Sequence, residues 1–423
     1  MSRRADPLHA LTWRTTRSGA GWGPASGRTP EALRRRRFPT MTDLERAARR
    51  RSPRFAFDFV DGGTGDDRGG ARNRAALDGI EIVPRYGRIG TVDTGVELFG
   101  RRYEVPIGIA PTGNDGVAWP DASRRLAGTA AAAGLPYVTG TLASASIEDL
   151  AAICGERLWF QLYGMPRDEH RVSIDLVRRA EVAGAQVLVL ALDAPVRSKR
   201  PRDLRNGLSV PFRPSPRLGV QLALHPAWTR AALRSRVPLF ANIARYVDAP
   251  DGEPDLGAVA GFVQRELRGG LSWDEVRRFR AIWPRSLVVK GILHPDDARA
   301  AVDAGADGVL VSNHGGRQSD AAPAAIDVLP AVTEAVGDRC TVLFDSGIRS
   351  GLDVARALAL GARAVFSGRG FLTGLAGAGD VGAAHVAELL TEELRTAMAQ
   401  HGALDLAALR RLAIRHPTSW SPR

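Results

Sequence analysis

The chain has 423 residues, 44% of them hydrophobic and 25% charged, an ordinary balance for a globular enzyme; no run of about 18 apolar residues is present to span a membrane. The formal net charge of +12 raises a nucleic-acid partner, but nine arginines against Asp6 and Glu31 in residues 1–40 carry most of that surplus. The rest of the chain is close to balance, so no nucleic-acid partner is expected.

Residues 1–40 are rich in Arg, Gly, Ser, Thr and Pro without apolar periodicity, and read as a disordered basic tail. From Met41 to residue 423 the composition becomes that of one globular unit. Eight short apolar runs follow: Pro106–Ala110, Pro136–Gly140, Leu158–Tyr163, Gln186–Asp193, Leu287–Lys290, Gly308–Asn313, Thr341–Asp345 and Ala364–Ser367. Runs apolar on both faces suit parallel strands buried between a core and a layer of helices. The segments between them include Asp168–Gly184, Pro295–Gly305 and Gly351–Gly361, which have helical spacing and stop at glycine. Strand and helix alternating eight times predict an α/β (β/α)8 barrel. A doubly wound sheet is disfavoured, because no GxGxxG follows the first strand.

About 90 residues separate the fourth run from the fifth, so a long insertion (about 201–270) follows strand 4. Within it, Arg217–Val247 holds Leu218, Val220, Leu222, Leu224, Trp228, Leu233, Val237, Leu239 and Phe240 among arginines. Such an amphipathic stretch suits a lid over the barrel mouth, or contact with a membrane surface; the lid is the preferred reading. Cys154 and Cys340 adjoin apolar stretches and read as small core residues, with no disulfide framework or metal cluster; a cytoplasmic protein is expected. All but two of the 58 basic residues are arginine. Lys290 ends a buried run, where a compact ammonium is wanted; Lys199, beside Arg197 and Arg200, reads equally well as a solvated loop.

Reactive groups in such barrels lie at the C-terminal ends of the strands. Those ends hold Thr112, Thr139, Gln161, Tyr163, Asp193, Lys290, Ser312, His314, Asp345 and Arg369. In Ser312-Asn-His-Gly-Gly-Arg-Gln318, glycines beside His314 let a ligand approach the backbone, and Arg317 offers a fork for a carboxylate. Asp345-Ser-Gly-Ile-Arg349 and Ser367-Gly-Arg369 end the last two strands, where these barrels build phosphate sites.

Together with Val289-Lys-Gly291, these motifs resemble the signature set of the FMN-dependent α-hydroxy acid dehydrogenases and oxidases, over about Arg54 to residue 415. Leu158–Tyr163, Pro111-Thr-Gly113 and Asp203-Leu-Arg-Asn206 lean toward the mandelate dehydrogenase branch. The resemblance implies FMN as cofactor and a small 2-hydroxy acid as substrate, oxidised to the 2-oxo acid. It implies His314 as base, Asp193 as the carboxylate orienting it, and Lys290 beside the flavin where negative charge collects. It assigns the substrate to Tyr163, Arg200 and Arg317. It assigns the flavin ring to Gln161, Ser312 and the backbone of Pro111, Thr112 and Gly113, and the phosphate to Asp345, Ser346, Gly347, Arg349, Gly368 and Arg369. It also implies a homo-oligomer, by analogy a tetramer.

The sequence departs from the family pattern at four places. Phe59 stands where a tyrosine usually offers its hydroxyl to substrate. Ala191 and Gly140 replace a threonine and a serine that often meet the flavin. Leu142 replaces the tryptophan of glycolate oxidase, opening the pocket to larger substrates. A different FMN-dependent tailoring oxidation on the same barrel therefore stays open. A catalytically silent binding scaffold is opposed by His314, Asp193, Lys290 and Arg317 together. The electron acceptor (quinone, oxygen or a carrier protein) is left open, although Gly113 matches the dehydrogenase branch.

Overall fold

A computed structural model of the chain describes residues 29–208, 215–235, 240–248 and 254–419. Eight strands form a closed parallel barrel: β1 (Ile107–Ile109), β2 (Tyr137–Gly140), β3 (Leu158–Leu162), β4 (Val187–Ala191), β5 (Ser286–Ile292), β6 (Gly308–Val311), β7 (Thr341–Phe344) and β8 (Ala364–Ser367). Neighbours follow chain order, and β8 pairs β1 to close the ring. Strands β1, β2, β3, β4, β6 and β8 are buried at every position, as a strand covered on both faces must be. The expected helices are present as Arg167–Val182, Pro295–Asp303 and Gly351–Ala359, and Gly184, Gly305 and Gly361 follow them at positive φ.

Aromatic side chains fill the barrel. The Phe366 ring lies over Gly108, where a Cβ would come 2.3 Å from it, and packs 5.3 Å from Trp159. A hairpin of Val96–Leu98 and Arg101–Tyr103 plugs the N-terminal mouth with Phe99, 5.6 Å from Trp159. The C-terminal mouth is thereby left as the open end.

Four helices precede the barrel: α1 (Pro30–Arg37), α2 (Met41–Arg51), α3 (Arg54–Asp61) and α4 (Arg68–Asp78). Helix α1 corrects the expectation of disorder throughout 1–40; residues 1–28 lie outside the described residues. Its apolar content is low, and charge holds it instead. Arg34 pairs with Glu388 at 3.0 Å and Arg35 with Glu392 at 2.8 Å, while Phe38 is buried beside His385.

The insertion between β4 and β5 carries α5 (Pro201–Arg205), α6 (Pro216–Leu224), α7 (Pro226–Arg234) and α8 (Leu256–Glu266). Within the described part of Arg217–Val247 the amphipathic stretch folds as two short helices and a later turn at Ala244–Tyr246. Pro226 cannot continue α6, and His225 serves as the end of α6 and the start of α7. Val237 and Leu239 lie outside the described residues. Helices α9 (Arg369–Ala378), α10 (Gly382–Gln400) and a short α11 (Leu406–Arg410) follow β8; α2 packs on α9 and α1 is paired to α10. Among the described residues, no helix is long and apolar enough to cross a membrane.

Candidate active site

A cavity of about 1220 Å³ opens at the C-terminal mouth of the barrel. Its wall includes Pro111, Thr112, Gly113, Tyr163, Arg200, Lys290, His314, Arg317, Asp345, Ser346, Gly347, Arg349, Gly368 and Arg369, so most residues singled out from sequence meet there. Asp193 and Ser312 stand behind that wall and touch His314 and Lys290, which form it; Gln161 lies on β3 beside Gly140.

His314 is gripped from both sides. Its Nδ1 lies 3.0 Å from Asp193 Oδ2 and its Nε2 3.0 Å from the Tyr163 hydroxyl, with the Tyr163 ring stacked at 6.3 Å. A carboxylate at Nδ1 assigns the proton to that nitrogen, which leaves Nε2 as the acceptor facing the cavity. Burial alone would raise the Asp193 carboxyl, but the His314 contact and the Lys290 charge outweigh it and hold Asp193 below the usual carboxylate range. Burial, and then the Asp193 charge, push the Tyr163 phenol up, so it stays protonated and can donate to Nε2. The geometry also explains Gly291 in Val289-Lys-Gly291. It sits at φ +97, and a Cβ there would lie 2.4 Å from Asp193 Cβ. Only glycine lets β5 pass so close to the carboxylate.

Lys290 is 3% exposed and donates to Ser312 Oγ and to Asp345 Oδ2, both at 2.6 Å. Ser312 Oγ also accepts from the His314 backbone N–H at 3.0 Å. One hydroxyl therefore ties the lysine to the histidine loop. Ser346, at φ +88, accepts from the backbone N–H groups of Asn313 and Gly315 and donates to Asp345 at 2.9 Å. The loops after β6 and β7 are thus built on each other.

The arginines are organised by α3. Arg317 Nη1 donates to the carbonyls of Phe59 at 2.8 Å and Gly62 at 2.7 Å, and its guanidinium sits 5.4 Å from the Phe59 ring centroid. No partner for its Nε or Nη2 is present among the described residues, so two donors stay available to an anion. Burial, then the Arg200 and Arg369 charges, push Arg317 well below the usual arginine range. Burial lowers Arg200 too, whose nearest carboxylate, Asp203, is 4.0 Å away. Anion binding would relieve both.

Arg369 is placed differently from its expected phosphate role. Its guanidinium donates to Gly315, Val60 and Gly62 carbonyls at 2.6, 2.9 and 3.0 Å, fastening α3 to the histidine loop. Burial, and then Arg349, lower it to about 10. Arg349 is also depressed by burial, and among the described residues its guanidinium bonds only the Ile348 carbonyl, at 3.2 Å.

Three observations fit the expected flavin mononucleotide. The cavity exceeds the roughly 300–1,000 Å³ of most ligand pockets, which leaves room for cofactor and substrate together. Helix α9 begins at the cavity wall with Gly368 as N-cap and no side-chain cap, beside Arg349; free N–H groups and a buried cation suit a phosphate. Gln161 Nε2 is buried without a partner among the described residues, an amide donor that a ring carbonyl would satisfy. Of the departures, Gly140 leaves ordinary space, since a Cβ there would meet nothing nearer than 3.7 Å. At Gly113 a Cβ would come 3.3 Å from Leu142 Cβ, so the two positions are coupled.

Sequence reasoning missed the helix that sets the loops. Asn73 on α4 exchanges two amide bonds with Asn313, at 2.8 and 2.7 Å, and Arg74 donates to the Gly347 carbonyl at 2.7 Å. Asp320 in turn accepts from the Gly69 and Asp66 N–H groups at the start of α4, at 2.6 and 2.9 Å. The Asn73 pairing spans 240 residues of chain, and no local pattern marks it. Asp203, on the cavity wall and raised by burial against the pull of Arg317 and Arg200, was missed as a site residue also.

Residues 48–416 match the family described as FMN-dependent dehydrogenase. A 4-hydroxymandelate oxidase of Amycolatopsis orientalis is 42% identical over 89% of this chain and 98% of its own length. An L-lactate dehydrogenase of Caulobacter vibrioides is 40% identical over 88% and 96%. Among solved structures, a monotopic membrane protein, (S)-mandelate dehydrogenase, superposes with a TM-score of 0.83 at 35% identity, covering 89% of this chain and 99% of that one.

Proposed function

The chain belongs to the FMN-dependent dehydrogenase family and oxidises α-hydroxy acids with FMN; from that premise we propose how its own residues divide the work. Bound FMN supplies the two-electron acceptor, held by the Gly347, Arg349 and Gly368 turns, Gln161 and the backbone of Pro111–Gly113. Arg317 and Arg200 clamp the substrate carboxylate, using the donors that α3 leaves free. The incoming α-hydroxy group displaces the Tyr163 hydroxyl from His314 Nε2, which then takes the proton leaving the substrate. Asp193 holds Nδ1–H and stabilises the imidazolium that results. Lys290, held by Ser312 and Asp345, would offer its positive charge to the flavin when the cofactor is bound. The observation that carries this reading is the Asp193–His314–Tyr163 chain at 3.0 Å per link beside Arg317.

Purified protein should release FMN and not FAD on denaturation, and anaerobic addition of an α-hydroxy acid should bleach the bound flavin. Release of FAD, or a flavin that no acid in a panel of alkyl and aryl members bleaches, overturns the proposal. Phe59 supports one second reading, a tailoring oxidation of another substrate, because its ring lines the cavity under Arg317 without a hydroxyl.

We infer that the insertion covers the mouth with one face and meets a membrane surface with the other. Leu218, Leu222, Trp228 and Phe240 line the cavity, whereas Val220, Leu224 and Leu233 are 60%, 70% and 82% exposed near Arg217, Arg230 and Arg234. That pairing of apolar and basic groups suits an interfacial helix pair. A cytoplasmic, membrane-associated homo-oligomer is the corresponding assignment. Exposed Tyr86 and Ile89 offer an apolar patch for subunit contact.

A further inference from the structure

On the side of α3 away from the active-site cavity, a second cavity of about 460 Å³ lies where α2, α3, α5 and the α6–α7 junction meet. Arg49 and Ser52, Arg54 and Asp58, Arg202 and Arg205, and His225 line it. Helix α3 separates the two cavities, with Phe55 and Phe59 on the active-site wall and Arg54, Phe57 and Asp58 on the other.

The cations here outnumber their partners. Arg202 is answered by Asp61 at 2.5 Å and Asp67 at 2.7 Å, and Arg54 by Asp58 at 3.3 Å. Arg49 and Arg205 have no carboxylate within ion-pair distance among the described residues. The Arg49 guanidinium is steadied 4.8 Å from the Phe57 ring centroid, which leaves its edge donors free. His225 Nδ1 lies 2.6 Å from the Gln221 carbonyl, so that nitrogen carries the proton and Nε2 is left as an acceptor, without a partner among the described residues. Ser52 is 1% exposed, and its Oγ has no hydrogen-bond partner among the described residues. A buried hydroxyl without a partner is rare unless something outside the chain satisfies it.

We propose that this cavity binds a phosphate group, as inorganic phosphate, a soluble phosphomonoester or the headgroup of an anionic lipid. A carboxylate would leave donors unused. Two unpaired guanidinium groups and a hydroxyl, from α2 and α5, supply donors to a tetrahedral anion, and the His225 ring nitrogen at the α6–α7 junction can accept from a phosphate P–O–H, so the lining comes from three segments. The bound group would tie α2, α3 and α5 to the α6–α7 junction, beside the helix whose terminal carbonyls hold Arg317.

The test uses FMN-loaded enzyme with a 2-oxo acid saturating the active site, so that neither the cofactor phosphate site nor the substrate arginines compete. Calorimetric titration with inorganic phosphate and with methyl phosphate is expected to give one saturable site per chain. Arg49→Ala and Arg205→Ala should each weaken it by about tenfold or more, the effect of losing a charge-assisted hydrogen-bond partner, with flavin content and turnover unchanged. Ser52→Ala should weaken it as well, which a merely structural serine would not do. Co-sedimentation with phosphatidylcholine vesicles, with and without phosphatidylglycerol, separates the sources. Capture by the anionic vesicles that both arginine variants abolish identifies a lipid headgroup; phosphate binding without such capture identifies a soluble phosphate. No saturable binding of either phosphate probe, or binding indifferent to all three substitutions, overturns the proposal.

Discussion

Replacing Asp193 by Asn isolates the electrostatic half of the proposed base. The substitution keeps the size of the side chain and removes one negative charge 3.0 Å from His314 Nδ1. At an effective dielectric near 20, unit charges at that separation attract by about 5 kcal/mol. The amide retains part of this through its dipole, so the protonated histidine formed in turnover should lose roughly 2–4 kcal/mol, or about 30- to 1,000-fold in rate. Asp193 stands behind the cavity wall, so FMN content should be unchanged. A pH signature accompanies the loss. The Asp193 carboxyl is held below its ordinary value, near 3.9 for a free aspartate; its contribution to stability is therefore full above that value and is lost as pH falls through the depressed one. The Asn variant should lack that acid-sensitive component. Anaerobic stopped-flow reduction of the flavin, with thermal melts from neutral to acid pH, measures both. A variant reducing its flavin within about threefold of the parent would refute the assigned role, since the charge removed is worth more than that.

Phe59→Tyr should leave FMN content unchanged and raise turnover of simple α-hydroxy acids by about 2- to 10-fold, the worth of one added hydrogen bond; steady-state kinetics check this, and slower turnover of every acid would point to a pocket built for another ligand. Asn73→Ala leaves the buried Asn313 amide half satisfied, at a cost of about 1–3 kcal/mol. Its melting temperature should fall and its flavin reduction slow, and an enzyme unchanged in both would remove α4 from the positioning of the His314 loop. A chain starting at Met41 loses the Arg34 and Arg35 ion pairs and the Phe38 carbonyl that lies 2.7 Å from His385 Nε2. It should keep FMN and activity but melt a few degrees lower, and an unchanged melting curve would show that α1 contributes nothing.

Much of the fold is legible because its strands are apolar on both faces, and few other structures ask for eight such runs at this spacing. The reactive cluster is legible for a related reason: polar residues such as Lys290 and His314 directly after buried strands have few structural uses. What stays hidden rests on backbone groups and distant pairings. Nothing in Arg54–Asp61 announces that its last carbonyls hold Arg317 and Arg369, because a carbonyl has no residue type. The Asn73–Asn313 exchange joins segments 240 residues apart. Helix α1 escapes a hydrophobicity reading because arginines docked on Glu388 and Glu392 hold it, and charge has no period to detect. The break at His225–Pro226 was visible as a proline, yet the apolar spacing continues across it and disguises two helices as one.

His314 carries the proposed proton transfer. His314→Ala removes the group that joins Asp193, Tyr163 and the cavity in one chain. The variant should fold, retain FMN and still bind a 2-oxo acid through Arg317 and Arg200. Under anaerobic conditions, with saturating α-hydroxy acid, its flavin reduction should slow by about 10²–10⁴-fold, the usual consequence of losing a general base. Reduction within about tenfold of the parent rate would contradict the assignment, because another group would then be taking the proton.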